Sequence, residues 1–237
     1  MNLSSSSVTE AVALDELDVL ERMLNRRASC RGFLSDPVPE ALMRRVLRIA
    51  QRTASWCNSQ PWQVVVASGE AMEDLRNAIY ARAAAGEKDV TDIAFPREYR
   101  GIYQDRRRET GFQLYEAMGV ARDDKDGRLR QTLENFRMFG APHVAIITTA
   151  EALGPYGAID CGAYVANFLL AIEAAGLGAI AQAALAHHSV FIRNHFGLSD
   201  ERRVVCGISF GFPDLSHPAN TVRTGRASVD DAVRVVR

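Results

Sequence analysis

The chain has 237 residues, with 28 Lys and Arg against 29 Asp and Glu, so its formal net charge is -1. This balance argues against a general nucleic-acid binder, which usually carries a strongly basic face. With 47% hydrophobic and 24% charged residues, the composition is that of a soluble globular protein long enough to bury a substantial core.

The N-terminal segment, residues 1–14, contains a run of serines and is predicted to be a disordered lead-in to a domain at 15–211. It has no basic stretch followed by an apolar one, so we do not expect a secretory signal. The chain has four cysteines and no C-x-x-C pair, which favours reduced thiols in the cytoplasm over a zinc site.

Hydrophobic periodicity predicts helices at 14–26 and 40–52, and Pro39 suits the first helical position of the second. Residues 63–68 (QVVVAS) are predicted to form a strand, which Gly69 ends before a helix over 70–85. The segment 86–108 mixes Pro, Gly, Tyr and charges without a period. It is long for a simple connection, and we interpret it as a lid or a substrate-contacting segment.

The second half of the chain contains both helical and extended patterns. Helices are predicted at 104–118, 128–138, 157–175 and 189–196, and strands at 143–149, 179–183 and 203–210. Helices outnumber strands, and the strands lie between helical pairs rather than alternating singly with helices. This favours an α+β fold over a doubly wound parallel sheet.

The apolar stretch 163–186 is long enough to span a bilayer. Asn167, Glu173 and Gln182 interrupt it, and Gly176 and Gly178 break its second half. A buried helix that ends near Gly176 explains the pattern better, so no transmembrane span is predicted. The tail, residues 212–237, has too little apolar material to fold alone and is expected to wrap its own body or a partner subunit.

Arginines surround a serine in the segment RRASCRGF at 26–33. Guanidinium groups, a hydroxyl and loop amides together form a plausible phosphate site. The alternative is a solvated basic helix end that interacts favourably with the helix dipole.

A second polar cluster, SWCNSQPW at 55–62, lies between a predicted helix and a strand. Its Asn, Ser and Gln offer neutral donors and acceptors that suit the polar edge of a planar ring, and Trp62 is expected to anchor the loop in the core. The alternative is an ordinary turn in which these side chains bind loop backbone.

The segment GLGAIA at 176–181 matches the G-x-G-x-x-G/A dinucleotide pattern only formally. A helix is predicted before it and a strand after it, the reverse of the required context, so we expect the glycines to cap the helix. The five histidines include no H-E-x-x-H arrangement, and surface or loop positions are predicted for them, with no metal site. No nucleophile motif is present, which favours chemistry supplied by a bound cofactor.

Together, RRASCRGF (26–33), SWCNSQPW (55–62), GLGAIAQAALA (176–186) and the tail GFPD…HPAN…VRTGRAS (211–228) resemble the FMN-dependent nitroreductase family, in its NAD(P)H nitroaromatic reductase branch. The resemblance runs from about residue 17 to the C-terminus. It implies an α+β fold with a central, mostly antiparallel sheet surrounded by helices. It also implies an interlocked homodimer that exchanges its C-terminal tail, 212–237, with FMN sites at the interface.

The same resemblance implies which residues bind the cofactor. Arg27, Ser29 and Arg31 would hold the phosphate and ribityl end, joined by Arg226 and Arg223 from the tail. Asn58 and Gln60 would face the flavin ring, from the opposite subunit or from their own loop. The backbone of Gln182, Ala183, Ala184 and Leu185 would line the flavin near N5. Ala28 stands where the family often has Arg or His, so it would contribute its backbone.

The implied mechanism is ping-pong: NAD(P)H delivers a hydride to flavin N5, and a flat, electron-poor acceptor then takes the electrons. A nitroaromatic would pass through nitroso to hydroxylamine, and no catalytic side chain is assigned. Alternatives are quinone, flavin or enoate reduction, reductive dehalogenation, or a non-catalytic flavin-binding dimer. Four aromatic residues are either walls of the substrate pocket or ordinary core and surface residues: Phe95, Tyr99, Tyr103 and Phe112.

Two further departures from the family concern charge. Some members carry an acidic residue near flavin N5, where this chain has Ala184-Leu185, and the Gly225 region lacks the Lys that some place near the phosphate. These departures affect the expected sub-branch and substrate rather than FMN binding.

Overall fold

The structure is a computed structural model that describes the backbone of residues 5–237 and the side chains of residues 15–237. Its helices and strands in chain order are α1 (Ser5–Arg26), α2 (Glu40–Ala50), β1 (Gln63–Ser68), α3 (Glu70–Ala84), α4 (Ile102–Ala117), α5 (Lys125–Leu133), β2 (His143–Ala150), α6 (Gly154–Ala174), β3 (Gly178–Gln182), α7 (Ser189–His195), β4 (Arg202–Gly211) and α8 (Val229–Ala232). Helix α1 thus begins at Ser5, earlier than the sequence pattern predicts. The first four residues of the expected lead-in 1–14 lie outside the described residues.

The four strands form one sheet in the order β1-β2-β4-β3, and every neighbouring pair is antiparallel. Seven of the eight residues of β2 are buried, because this central strand has helices on both faces. Its sequence, HVAIITTA, therefore contains an unbroken apolar run, VAII, rather than a strict alternation. The predicted α+β class and antiparallel sheet are confirmed.

Alternate residues of β2 belong to two separate cores, as the period of a strand requires. Ile147 packs in the core shared with Val46 of α2 and Phe168 of α6. Ile146 packs in the core shared with Leu75 of α3 and Ile192 of α7. The sheet is thus the middle of three layers, with α2 and α6 on one face and α3 and α7 on the other.

The predicted elements after residue 100 are confirmed except at their ends. The helix predicted at 128–138 is α5, which begins at Lys125, where the Asp124 side chain accepts the Gly127 N–H, and ends at Leu133. Gly176 has φ +73° and follows the end of α6, so it caps that helix as expected, and β3 begins at Gly178.

The prediction that histidines occupy surface or loop positions is wrong for His143, which is 3% exposed and lies in a strand; His188 is 1% exposed and lies in the turn after β3. His143 lies in β2, where its Nε2 accepts the Val38 N–H at 2.8 Å and its Nδ1 lies 2.6 Å from the Ser68 hydroxyl. These bonds replace water for both ring nitrogens, which is what allows the residue to be buried without a carboxylate.

Helix α6 and the short turn before it, residues 151–174, are long and apolar enough to cross a membrane by length and composition alone. A third of the most apolar window is buried inside the chain. Tyr164 and Phe168 of this helix pack in the core, which is the ordinary reason for such a composition in a globular protein.

Candidate functional site

Six of the residues expected to bind a phosphorylated cofactor line one cavity of about 360 Å³. They come from the two ends of the chain: Arg27, Ala28, Ser29, Arg31, Arg223 and Arg226. The segment after α1 reaches this point because Ser29 forms a parallel bridge to Ala179 of β3, and the Cys30 N–H donates to the Ala179 carbonyl at 3.0 Å. The tail reaches it from the end of β4.

The cavity is strongly positive. Its described lining residues include four arginines and no carboxylate. Arg31 is half-buried, burial lowers the pKa of its guanidinium, and among the described side chains no carboxylate pairs with it. A cation that has lost part of its hydration without gaining a counter-ion favours an anion in the adjacent space. The cavity therefore fits a phosphate group.

Thr110 of α4 also lines this cavity, and sequence reasoning did not single it out. Arg223 donates to the Asn220 carbonyl at 2.7 Å, while Arg226 donates to the Thr224 hydroxyl at 3.0 Å and to the Gly225 carbonyl at 2.9 Å. Both guanidinium groups are thus held by the tail's own backbone and side chains, and each keeps further N–H groups for a ligand.

The loop 55–62 has a strained backbone. Cys57, Asn58 and Gln60 have φ values of 50°, 55° and 47°, although none of them is glycine. Such conformations persist only where surrounding contacts hold them, and they concentrate at functional sites.

The contacts that hold this loop come from both its ends. The backbone N–H of Trp56 donates to the two carboxylate oxygens of Asp160 at 3.2 and 3.1 Å, and the Gln60 N–H donates to the Ser55 hydroxyl at 2.9 Å. Trp62 is buried and its indole stacks on Tyr164 at 5.1 Å, so its predicted anchoring role is confirmed.

The arginine cavity and the loop 55–62 lie at opposite ends of α6. Asp160, near the start of this helix, holds the loop, whereas Glu173, near its end, pairs with Arg26 beside the cavity. Asp160 and Glu173 are thirteen positions apart in the helix, which corresponds to about 20 Å. One chain therefore does not bring the polar loop and the arginines to the same point.

The four predicted residues at the end of β3, Gln182 to Leu185, differ in what they expose. The Gln182 side chain is buried; its amide donates to the Asn135 carbonyl at 2.8 Å and accepts from the Ser209 hydroxyl. Leu185 is fully buried against Gly207, so only the backbone of this turn and the two alanines face outward.

The segment that precedes α4 is fixed at its beginning. Asp89 accepts the Phe191 N–H at 2.8 Å, and Asp92, which is buried, pairs with Arg193 and accepts the Val204 N–H at 2.8 Å. This anchoring explains how a connection without regular structure stays in one arrangement.

Among the four aromatic candidates, only Phe95 lies beside the turn at the end of β3. Its ring stacks on His187 with centroids 4.1 Å apart and an interplanar angle of 6°. Tyr99, Tyr103 and Phe112 are exposed, and Arg107 and Arg122 lie over the rings of Tyr99 and Phe112. Within this chain these three side chains are exposed.

Comparison with known proteins agrees with these motifs. A model described as "Nitroreductase family" matches residues 24–212. Nitroreductase NfnB of Mycolicibacterium smegmatis is 34% identical over 237 residues, which covers 99% of this chain and 100% of that protein. A 4-nitrobenzoate reductase of Nocardioides sp. is 30% identical over 92% of this chain and 90% of its own length.

The fold is also that of a solved relative. The crystal structure of the FMN-dependent nitroreductase NfnB from Mycobacterium smegmatis in complex with NADPH superposes with a TM-score of 0.89 at 34% identity. The match covers 93% of this chain and 99% of that one.

Proposed function

Because this chain belongs to the nitroreductase family, we propose that it is an FMN-dependent oxidoreductase that uses NAD(P)H to reduce nitroaromatic compounds. Its relatives include a protein named as a 4-nitrobenzoate reductase, and a structural neighbour is described as FMN-dependent and complexed with NADPH. The identity to these proteins extends over nearly the whole chain, which supports a shared chemistry.

The observation that carries the proposal is the cavity with four arginines and no lining carboxylate. In it, Arg31 and Arg27 would bind the FMN phosphate from one side, and Arg223 and Arg226 from the other. Ser29 would add a hydroxyl donor, and Ala28 its backbone. Guanidinium groups bind phosphate with paired, charge-assisted hydrogen bonds, which suits a group with two negative charges.

FMN, when bound, supplies the hydride chemistry that the chain's own side chains lack. The backbone of the turn Gln182 to Leu185 would face the flavin near N5, and its orientation is fixed by the buried Gln182 amide and by Leu185 on Gly207. Asn58 and Gln60 would bind the polar edge of the ring. No side chain of the chain is assigned a proton-transfer or nucleophilic role; its residues bind and orient.

Asp160, which holds the loop 55–62, lies about 20 Å along α6 from Glu173, which pairs with Arg26 next to the arginine cavity, and this separation supports a homodimer in which each site uses both subunits. If two copies of α6 pair in antiparallel fashion about a two-fold axis, the loop of one subunit meets the cavity of the other. The exposed side of α6 is apolar, with Ile159 62% exposed, and α1 exposes Leu17, Leu20 and Leu24. Apolar faces of this kind are typical of subunit interfaces.

The exposed end of the tail 212–237 would wrap the partner subunit, whereas the first residues of the tail pack on their own chain, where the Leu34 N–H donates to the Phe212 carbonyl and the Asp214 N–H to the Gly32 carbonyl. Its last residues include Val229, Val233, Val235 and Val236, all of them exposed in the single chain. Strand β1 is an edge of the sheet, so its outer backbone groups are open to pairing. A tail with exposed valines and an open sheet edge on the partner are complementary features.

A cytoplasmic location is part of the same proposal. All four cysteines are free thiols, three of them buried. Unpaired thiols are the usual state in a reducing compartment.

The test is spectroscopic. The purified protein should be yellow and should release FMN on denaturation. NADPH or NADH added without oxygen should bleach the flavin absorbance, and a nitrobenzoate should restore it. A colourless protein that ignores added FMN would refute the flavin proposal. A protein that is bleached but reoxidised only by quinones or enoates would refute the nitroaromatic substrate and retain the cofactor.

A further inference from the structure

The side chain of Asn220 joins the two arginine-bearing segments of the cavity. Its Oδ1 accepts the backbone N–H of Arg31 at 2.6 Å, and its Nδ2 donates to the Gly32 carbonyl at 2.8 Å. The same Nδ2 donates to the Asp214 carbonyl at 2.8 Å, which closes the loop at the start of the tail. One amide thus bonds to the main chain of Arg31, Gly32 and Asp214, and fixes the start of the tail against residues 31–32.

The main chain of Asn220 contacts the second arginine-bearing segment, which contains Arg223. Its carbonyl accepts from the Arg223 guanidinium at 2.7 Å, so this residue contacts Arg31 through its side chain and Arg223 through its backbone. Both arginines line the same cavity.

The surrounding packing leaves this arrangement little freedom. A Cβ on Gly32 would lie 2.2 Å from Cγ of His217, which is part of a rigid ring. The backbone at residue 32 therefore packs directly on the tail, and the Asp214 N–H donates to the Gly32 carbonyl at 3.0 Å. The hydrogen bonds of Asn220 complete this contact at its end nearest the cavity.

We propose that Asn220 is a positioning residue of the phosphate cavity, which sets the spacing between the Arg31 and Arg223 guanidinium groups. This inference rests on the proposed FMN site. Two guanidinium groups bind one phosphate well only when both face it at the same time, so a residue that fixes their spacing raises affinity for the phosphate without contacting it.

The experiment compares FMN with riboflavin, which has the same ring and ribityl chain but no phosphate. Dissociation constants for both are measured on flavin-free protein by flavin fluorescence. The wild type should prefer FMN. In Asn220→Ala that preference should fall by about ten- to a hundredfold, the effect of losing one charge-assisted hydrogen bond between a guanidinium group and the FMN phosphate. Riboflavin binding should stay unchanged.

Thr221→Val is the matched control, because it removes a hydrogen bond of the same turn, from the Thr221 hydroxyl to the Pro218 carbonyl at 2.8 Å, without touching residues 31–32. It should keep the wild-type preference. Asn220→Ala should also have no additional effect on FMN affinity in an Arg31→Ala background, because its action passes through Arg31. A purely structural role would instead weaken both flavins equally and add to Arg31→Ala.

The outcomes separate the two proposals. If the wild type binds FMN no better than riboflavin, the phosphate cavity itself is refuted. If the wild type prefers FMN and Asn220→Ala keeps that preference, or loses both flavins together, the positioning role is overturned and the cavity stands. If Asn220→Ala does not fold, Asn220→Ser, which is uncharged and too short to reach both carbonyls, is judged by the same ratio.

Discussion

Sites shared between subunits can be tested by mixing two inactive variants. One variant, Arg31→Ala/Arg226→Ala, lacks half of the arginine cavity. The other, Asn58→Ala/Gln60→Ala, lacks the polar side chains of the loop. In a heterodimer of the two, a shared site would combine the defects at one position and leave the other position intact. A site contained in one chain would leave both positions defective.

The expected magnitude follows from the geometry. Within a chain, about 20 Å of α6 separates Asp160, which holds the loop 55–62, from Glu173, which pairs with Arg26 beside the arginines. Each arginine removed should weaken FMN binding by about 1.5–3 kcal/mol, so the double variant should lose at least about a hundredfold in affinity. The purified heterodimer should then bind about one FMN per dimer and show about half of the wild-type nitroreductase rate.

The assay uses two affinity tags to isolate the heterodimer after co-expression, with FMN measured by absorbance against protein. Homodimers of each variant, purified in the same way, are the controls. A heterodimer whose nitroreductase rate is no higher than the mean of the two homodimer rates would refute the shared site, and with it the antiparallel pairing of α6.

Three further predictions concern stability, measured by chemical denaturation. Burial lowers the pKa of His143, so the unfolded chain binds its proton more readily, and the free energy of unfolding should fall by up to about 1.4 kcal/mol per pH unit below pH 6.5. His143→Gln should reduce this slope without removing it, because burial also lowers the pKa values of His187 and His188. An unchanged slope would contradict the assignment. In Gly207→Ala the new Cβ would lie 2.3 Å from Leu185 Cδ1, so we expect a loss of about 1–3 kcal/mol, partly recovered by adding Leu185→Ala. Asp92→Ala should cost about 3–5 kcal/mol because it leaves the buried Arg193 unpaired. Adding Arg193→Met should recover part of that loss, and a double variant no more stable than the single one would argue against this cause.

Much of the fold was predictable because the local patterns agree with the tertiary structure. A few neighbouring residues are enough to predict three features: the apolar helix α6, the glycine that caps it, and the short strand QVVVAS. The boundaries of α5 were harder to predict, because its start depends on the Asp124 side chain and its end on tertiary packing.

The candidate site was only partly predictable. The arginines at 26–31 and 223–226 are visible in the sequence, but their convergence depends on the Ser29–Ala179 bridge and on the path of β4. The sequence indicates this convergence only through its resemblance to the family. Asn220 accepts a hydrogen bond from Arg31, which is 189 positions away in the sequence, and His143 accepts one from Val38, which is 105 positions away. No local pattern encodes such partners. The HPAN motif was the one signal that pointed toward Asn220.

Helix α6 connects Asp160, which holds the loop 55–62, to Glu173, which holds the arginine segment. This connection limits which insertions and deletions in the helix the protein tolerates. Substitutions along the exposed side of the helix alter one contact at a time. Insertion of a single residue between Asp160 and Glu173 would turn everything beyond it by about 100° and shift it by about 1.5 Å. Both ends would then lose their alignment in both subunits. We therefore expect natural variants of this protein to differ in length in the segment 86–101 and in the tail, while the thirteen-residue spacing within α6 stays constant.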